Sequence, residues 1–306
     1  MRWVDHDEKG AGDRLDELHK SRHRASGLLL ASHAHAPNIT HLLRLLPTPT
    51  TSDDGAVDTK AVVPDAPWMR AHADMAAKML PGGVYLVGAY VFTSSRDFTQ
   101  AEAALRPMLA TMLKALADQG IEEPEVLLLL LPNDAKKPSA RVLTQPSAPF
   151  KPTELKRPTA PLQLRRVSTT WHLDAHLELP VGASPAARLA LLREQLAAVT
   201  APLEDATMTI DGELRATTQP LGAIPQRTAG HAHSVRIFRK PGTASTAPAA
   251  QRAARLSGAL HGCAICPSTA SIGCALRALR RDLALTLDVR LSHHLEELEE
   301  EDDADK

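Results

Sequence analysis

A mixed α/β fold with a second, α+β part is what this sequence predicts, and three observations carry that prediction. Between residues 84 and 131, apolar runs of strand length alternate with an amphipathic helix, the pattern of an α/β layer. Beyond a proline-rich stretch, Trp171, Leu173, Ala175, Leu177 and Leu179 alternate strictly with polar neighbours, as a half-buried strand requires. Near the end, Leu276, Leu279, Leu283, Leu287, Leu291, Leu295 and Leu298 step by three or four through one helix. The expected organisation is a first domain over residues 20–165 and a second over 166–300, closed by that long C-terminal amphipathic helix. Polar tails cover 1–19 and 301–306. Only the proline-rich stretch 132–161 separates the halves, so one continuous fold stays open as the alternative.

Each element has its own justification. Residues 1–24 are polar and charged and read as surface or a weak helix. Ser26-Gly27-Leu28-Leu29-Leu30-Ala31 predicts a strand, and residues 39–46 its hairpin partner across a turn holding Pro37 and Asn38. Residues 47–67, rich in Thr, Pro, Asp and Gly, predict a long surface loop. Trp68, Ala71, Met75 and Met79 then fall at helical spacing after Pro67, and Leu80-Pro81-Gly82-Gly83 stops that helix. Residues 84–92 predict a strand buried on both faces. A helix over 97–118 presents Leu105, Met108, Leu109, Met112, Leu113 and Leu116 as one stripe. Pro107 inside it predicts either a kink or a late start. Residues 125–131 are the next strand, and 132–161 read as loop and extended chain. Further on, the pattern gives a strand at 167–179, a helix at 185–199 and a short strand at 207–214 around an Asp211-Gly212 turn. Irregular chain at 219–230 precedes strand 234–238, a linker at 242–250 and a last strand at 258–266.

Composition narrows the function classes. Lys+Arg number 35 against Asp+Glu 36, for a net charge of −1, which argues against a binder of nucleic-acid phosphates. Aromatics are only 3% of the 306 residues, so packing rests on aliphatic side chains. Three cysteines exclude a disulfide-built scaffold and suit a reducing compartment. The start, Met1-Arg2-Trp3-Val4-Asp5-His6-Asp7-Glu8-Lys9, has no apolar segment of a secretory signal. The longest aliphatic run, 126–131, is far short of the about 20 residues a membrane helix needs. Together these describe a soluble intracellular chain.

Candidate chemistry is sparse. His33-Ala34-His35 and His231-Ala232-His233 each place two imidazoles on one face of a strand, as two metal ligands would lie. Neither pair has an Asp or Glu nearby in sequence to complete a site. His261, Cys263, Cys266 and Cys274 supply four possible zinc ligands, but the second half of that pattern is compressed to a single cysteine. No Gly-x-Ser-x-Gly elbow, P-loop or dinucleotide fingerprint occurs. Pro81-Gly82-Gly83 leads into a strand instead of a helix N-terminus, so it makes no phosphate cradle. No cofactor is expected, and the leucine stripe reads as core first and as a partner-binding face second.

The segment from Trp68 to Tyr90 carries a resemblance. Its Trp-led helix bears His72, closes in Met79-Leu80-Pro81-Gly82-Gly83 and runs into an aliphatic strand with Gly88. It resembles the odorant-response-abnormal (Odr-four-like) family. Residues 26–30, 171–180 and 258–298 fit in the same order, the last centred on Arg280-Arg281-Asp282. The resemblance implies a catalytically inactive relative of the MPN/JAMM metalloprotease fold, a mixed sheet flanked by helices. In that comparison Val91 and Thr93 stand at the two metal-ligand positions, with no side chain suited to zinc. The implied role is an adaptor that binds the ubiquitin-fold-modifier-specific cysteine protease as a heterodimer. It would recruit that protease to the cytosolic face of the endoplasmic reticulum membrane and support trafficking of membrane receptors as cargo. Relatives usually end in a membrane anchor; this chain ends Asp302-Asp303-Ala304-Asp305-Lys306 without one. Two other readings remain: an active metal-dependent isopeptidase with a rearranged histidine site, and a structural subunit docking through the helix at 276–298.

Overall fold

A computed structural model describes residues 2–5, 25–34, 39–49, 66–135, 137–156, 161–178, 185–204, 206–226, 232–238 and 253–304. The chain divides into two units, Met1–Leu80 with Val84–Gln163, and Pro81–Gly83 with Leu164–Lys306. The class is mixed α/β: two mixed sheets and, among the described residues, four α-helices.

In the first unit, eight strands form one sheet in the order β7-β6-β5-β4-β2-β3-β1-β8. They are β1 (Arg2–Asp5), β2 (Ala25–Ala34), β3 (Ile39–Pro47), β4 (Val84–Thr93), β5 (Val126–Pro132), β6 (Ser139–Leu143), β7 (Lys151–Thr153) and β8 (Leu155–Lys156). β2 and β3 form the expected antiparallel hairpin; its turn, with Pro37 and Asn38, lies outside the described residues. β4 and β5 run parallel, which demands a crossover. Helix α2 (Phe98–Asp118) supplies it. β5 is buried along its whole length, and Leu127 to Leu131 are fully inaccessible. Such an unbroken aliphatic run suits only a strand covered on both faces. α2 buries the stripe the periodicity predicts, from Leu105 to Leu116. It also runs unbroken through Pro107, so the late start is excluded.

Three expectations need correction here. Arg2–Asp5 is a strand, parallel to β3 and β8, where a surface segment or weak helix was expected. Ser139–Leu143, in the stretch expected to be loop and extended chain, is a regular sheet strand paired with β5. Helix α1 (Ala66–Met79) exists as predicted but buries Met69, Ala73 and Ala76. The expected stripe faces out, with Trp68 38%, Met75 63% and Met79 83% exposed. Both stripes have helical spacing, and the two alanines make the flatter face for packing beneath the sheet-borne side chains. Trp68 is further held outward by its indole N–H, which donates to the Pro49 carbonyl at 2.8 Å.

The second unit holds β9 (Leu164–Glu178), α3 (Pro185–Glu204), β10 (Thr207–Ile210), β11 (His233–Phe238), β12 (Ala253–Pro267) and α4 (Ile272–Ala304). Its sheet order is β10-β11-β9-β12. β9 and β12 are antiparallel over their full length, Ala253 opposite Glu178 and Pro267 opposite Leu164. Alternation along β9 is as expected: Trp171, Leu173 and Leu177 are buried, while Leu179 lies outside the described residues. α4 lies on β12 and β9 and contacts α3. Asp211 and Gly212 take positive φ values of 53° and 84° in the turn after β10, as the Asp-Gly pair predicts. The loop at 50–65 and the linker at 242–250 lie outside the described residues. No helix among the described residues is long and apolar enough to cross a membrane.

Candidate functional site

The densest arrangement of sequence-marked residues lies in the second unit, where Pro81–Gly83 meets β12 and α4. Gly82 N–H donates to the Cys263 carbonyl at 3.0 Å, and the Gly82 carbonyl accepts from Ile265 N–H at 2.8 Å. These two bonds make Gly82 a parallel bridge partner of Ala264 on the outer edge of β12. Asp282, projecting from α4, closes the arrangement. One carboxylate oxygen accepts from Gly82 N–H at 3.1 Å and the other from Cys263 N–H at 2.7 Å. A single side chain thus satisfies two donors that lie 200 and 19 positions before it in sequence.

The glycines are dictated by space. A Cβ on Gly82 would sit 2.2 Å from the Ala278 carbonyl oxygen, backbone of α4 that cannot swing aside. Gly83 has φ +80°, and its Cβ would meet the Ile265 carbonyl at 2.5 Å and Cys266 Sγ at 2.7 Å. Pro81 lacks an N–H, so it asks for no partner at the strand edge.

Burial pushes the Asp282 carboxyl above the ordinary carboxylate range, and the N–H donors of Cys263 and Gly82 oppose that shift without cancelling it. A group whose folded value is raised takes up its proton in the folded state first. Its contribution to stability is therefore greatest below its unfolded value and is lost as pH rises through the folded one. The stability of wild type relative to Asp282→Asn is accordingly expected to rise as pH falls from 7 toward 4, read from paired urea titrations. At neutral pH, Asp282→Ala is expected to cost about 1–3 kcal/mol, because Cys263 N–H loses its acceptor. Asp282→Asn, which keeps one carbonyl oxygen, is expected to cost less.

The thiols around this arrangement do not converge on a cation. Cys263 and Cys266 are three apart on β12 and so point to opposite faces. Cys263 is half-buried and receives the Arg166 Nε–H at 3.3 Å. Burial, aided by neighbouring Cys274 and Cys263, pushes the Cys266 thiol up to about 12, and burial also raises Cys274 against the opposing Arg277 charge. His261 is exposed, with Nδ1 3.0 Å from the Thr170 hydroxyl. Among the described residues, no group of three or more His, Cys, Asp or Glu is placed to hold a metal ion.

At the carboxyl end of β4, in the first unit, Val91 and Thr93 are 2% and 1% exposed. The Thr93 hydroxyl donates to Asp97 at 3.4 Å. Beside it, Asp134 accepts from Ser95 N–H and hydroxyl at 3.1 and 2.5 Å and from the Ser94 hydroxyl at 3.2 Å. Those bonds, the Ser95 hydroxyl first, hold the Asp134 carboxyl below its ordinary value. The cluster fixes the β4–α2 turn to the end of β5. In β4 itself, a Cβ on Gly88 would fall 1.8 Å from the Leu127 carbonyl, so this position too admits only glycine.

The sequence model of the family described as odorant response abnormal 4-like matches residues 27–306. The chain belongs to the ODR4-like family. It is similar to a mouse protein described as protein odr-4 homolog, 24% identical over 171 residues. That likeness covers 50% of this chain and 37% of the mouse protein, so the chain spans well under two thirds of that relative.

In this ODR4-like chain the family-marked segments at 80–83 and 280–282 come together at Gly82 and Asp282. The other marks serve the first unit. Trp68 bonds Pro49, and His72 Nδ1 lies 3.1 Å from the Thr48 hydroxyl, so both tie residues 48–49 to α1. Leu80 is half-buried and Met79 exposed. Of the histidine pairs, His33 lies in β2, and His35 and His231 are outside the described residues. His233 is 2% exposed, with Nδ1 2.8 Å from Asp211 Oδ2. Sequence proximity had offered it no carboxylate; the turn after β10 brings one from 22 positions away. Asp211 also accepts from Ser234 N–H at 2.9 Å, so the pair staples β10 to β11. Leu276, Leu279, Leu283 and Leu287 are buried against the sheet of the second unit, and Leu291 is half-buried. The side chains of Leu295 and Leu298 lie outside those described.

Proposed function

We propose that this chain is a non-catalytic adaptor. It binds the ubiquitin-fold-modifier-specific cysteine protease, brings it to the cytosolic face of the endoplasmic reticulum and supports trafficking of membrane receptors. Membership of the ODR4-like family over residues 27–306 is the observation that carries this reading. On this view the first unit is an MPN-like sheet without a working metal site. Val91 offers no donor atom, the Thr93 hydroxyl is engaged with Asp97, and both side chains are buried. An imidazole pair at those positions would be needed to hold zinc and generate a hydroxide nucleophile. The arrangement at Gly82 and Asp282 uses its polar groups on its own backbone, which is the work of a scaffold.

Purified protease passed over the immobilised, folded chain is expected to be retained saturably and to elute as a complex of one copy of each. Failure of folded chain to retain the protease would overturn the proposal.

A further inference from the structure

β12 is the outer strand of its sheet, and its register against β9 runs without a bulge from Ala253 to Pro267. Its backbone groups therefore alternate strictly between β9 and the free edge. Cys263 and Ile265 face that edge, since they bond Gly82 and Asp282. By the same alternation Ser257, Ala259 and His261 turn their N–H and C=O groups outward. No backbone partner for these groups occurs among the described residues. Ser257, Gly258, Ala259 and His261 are exposed.

Sheet edges of soluble proteins are ordinarily blunted by lysine, proline or a bulge. Leu256-Ser257-Gly258-Ala259-Leu260-His261-Gly262 has none of these. The same edge already accepts an added strand segment, because Gly82 occupies its adjoining stretch. A strand continuing that ladder would place alternate side chains on the helix-covered face, beside half-buried Leu256 and Leu291. Gly258 lies on that face too, and a Cβ there would meet nothing within 4 Å, so the face has room.

We infer that the edge of β12 from Ser257 to His261 is a docking surface that takes an extended segment of a partner protein by strand addition. The segment carries aliphatic residues at alternate positions, which lie over Leu256 and Leu291, while its backbone supplies the hydrogen bonds. This inference rests on the adaptor reading, which supplies the partner.

The test is equilibrium binding of the purified protease to the whole chain, comparing wild type with Ala259→Pro and Ala259→Lys. Proline at 259 removes an outward N–H and no bond to β9, as an edge position allows. Lysine keeps the N–H and sets a charge in the path of an incoming strand. Both variants are expected to melt with wild type and to bind about tenfold more weakly or worse. If Ala259→Pro proves unfolded, the lysine variant decides. Full-strength binding by folded variants overturns the assignment of the edge and leaves the adaptor reading standing. Wild type that does not bind the protease removes both. A wild-type dimer dispersed by Ala259→Lys would name a second copy as the occupant and overturn the partner class.

Discussion

Leu283→Ala is expected to destabilise the second unit by about 3–4 kcal/mol. Leu283 is fully buried in α4 and packs with Trp171, Leu260 and Leu287 in one cluster. The fit is close, since a Cβ on Gly262 of β12 would come within 2.9 Å of the Leu283 side chain. Removing that side chain leaves a cavity between helix and sheet that neither regular element collapses into easily. Leu291→Ala, at a half-buried position, is expected to cost no more than about 1 kcal/mol. Urea unfolding followed by hydrogen exchange at β9 and β12 amides reads both. Equal small losses for the two variants would mean that α4 is not packed on this sheet. Because the first four leucines of the stripe are core, a partner reaching them would first have to detach α4.

Gly82→Ala is the second large effect, expected at about 2–3 kcal/mol. Its cost is steric: the added Cβ is aimed at the Ala278 carbonyl 2.2 Å away, and both sides of the clash are backbone. Gly120→Ala separates this from backbone strain. Gly120 has φ +74° but nothing within 4 Å of its would-be Cβ, so it is expected to lose only about 1–2 kcal/mol. In Gly82→Ala the amides of Cys263 and Ile265 should exchange faster than those of β11, because their acceptors are Asp282 and Gly82. Unchanged protection at those two amides would show that the bridge to β12 carries little of the local stability.

The sequence discloses most where a segment's own pattern decides its environment. The unbroken aliphatic run of β5 and the alternation of β9 each point to one burial pattern, and the structure has it, while in α4 the first four leucines of the stripe take the core reading. In α1 the pattern is ambiguous, since Trp68, Met75, Met79 and Met69, Ala73, Ala76 are both helical stripes. Side-chain size points to the first, while packing and the Trp68 bond to Pro49 select the second. β1 and β6 are short and polar-flanked, and only their partners β3 and β5 make them strands. Asp211 beside His233 and Asp282 beside Gly82 arise from tertiary contacts that no local spacing encodes. A hint of the second existed, because Gly82-Gly83 and Arg281-Asp282 stand in the two segments that carry the family resemblance.

On the proposed function, Val91 and Thr93 leave the first unit without the imidazole pair a metal-dependent hydrolase requires. Cleavage of an isopeptide-linked modifier substrate by the purified chain alone, in buffer with added zinc, tests that most directly. The expected result is no hydrolysis above the zinc-only control. Zinc-dependent cleavage that disappears in His33→Ala or His233→Ala would contradict it and restore the isopeptidase reading.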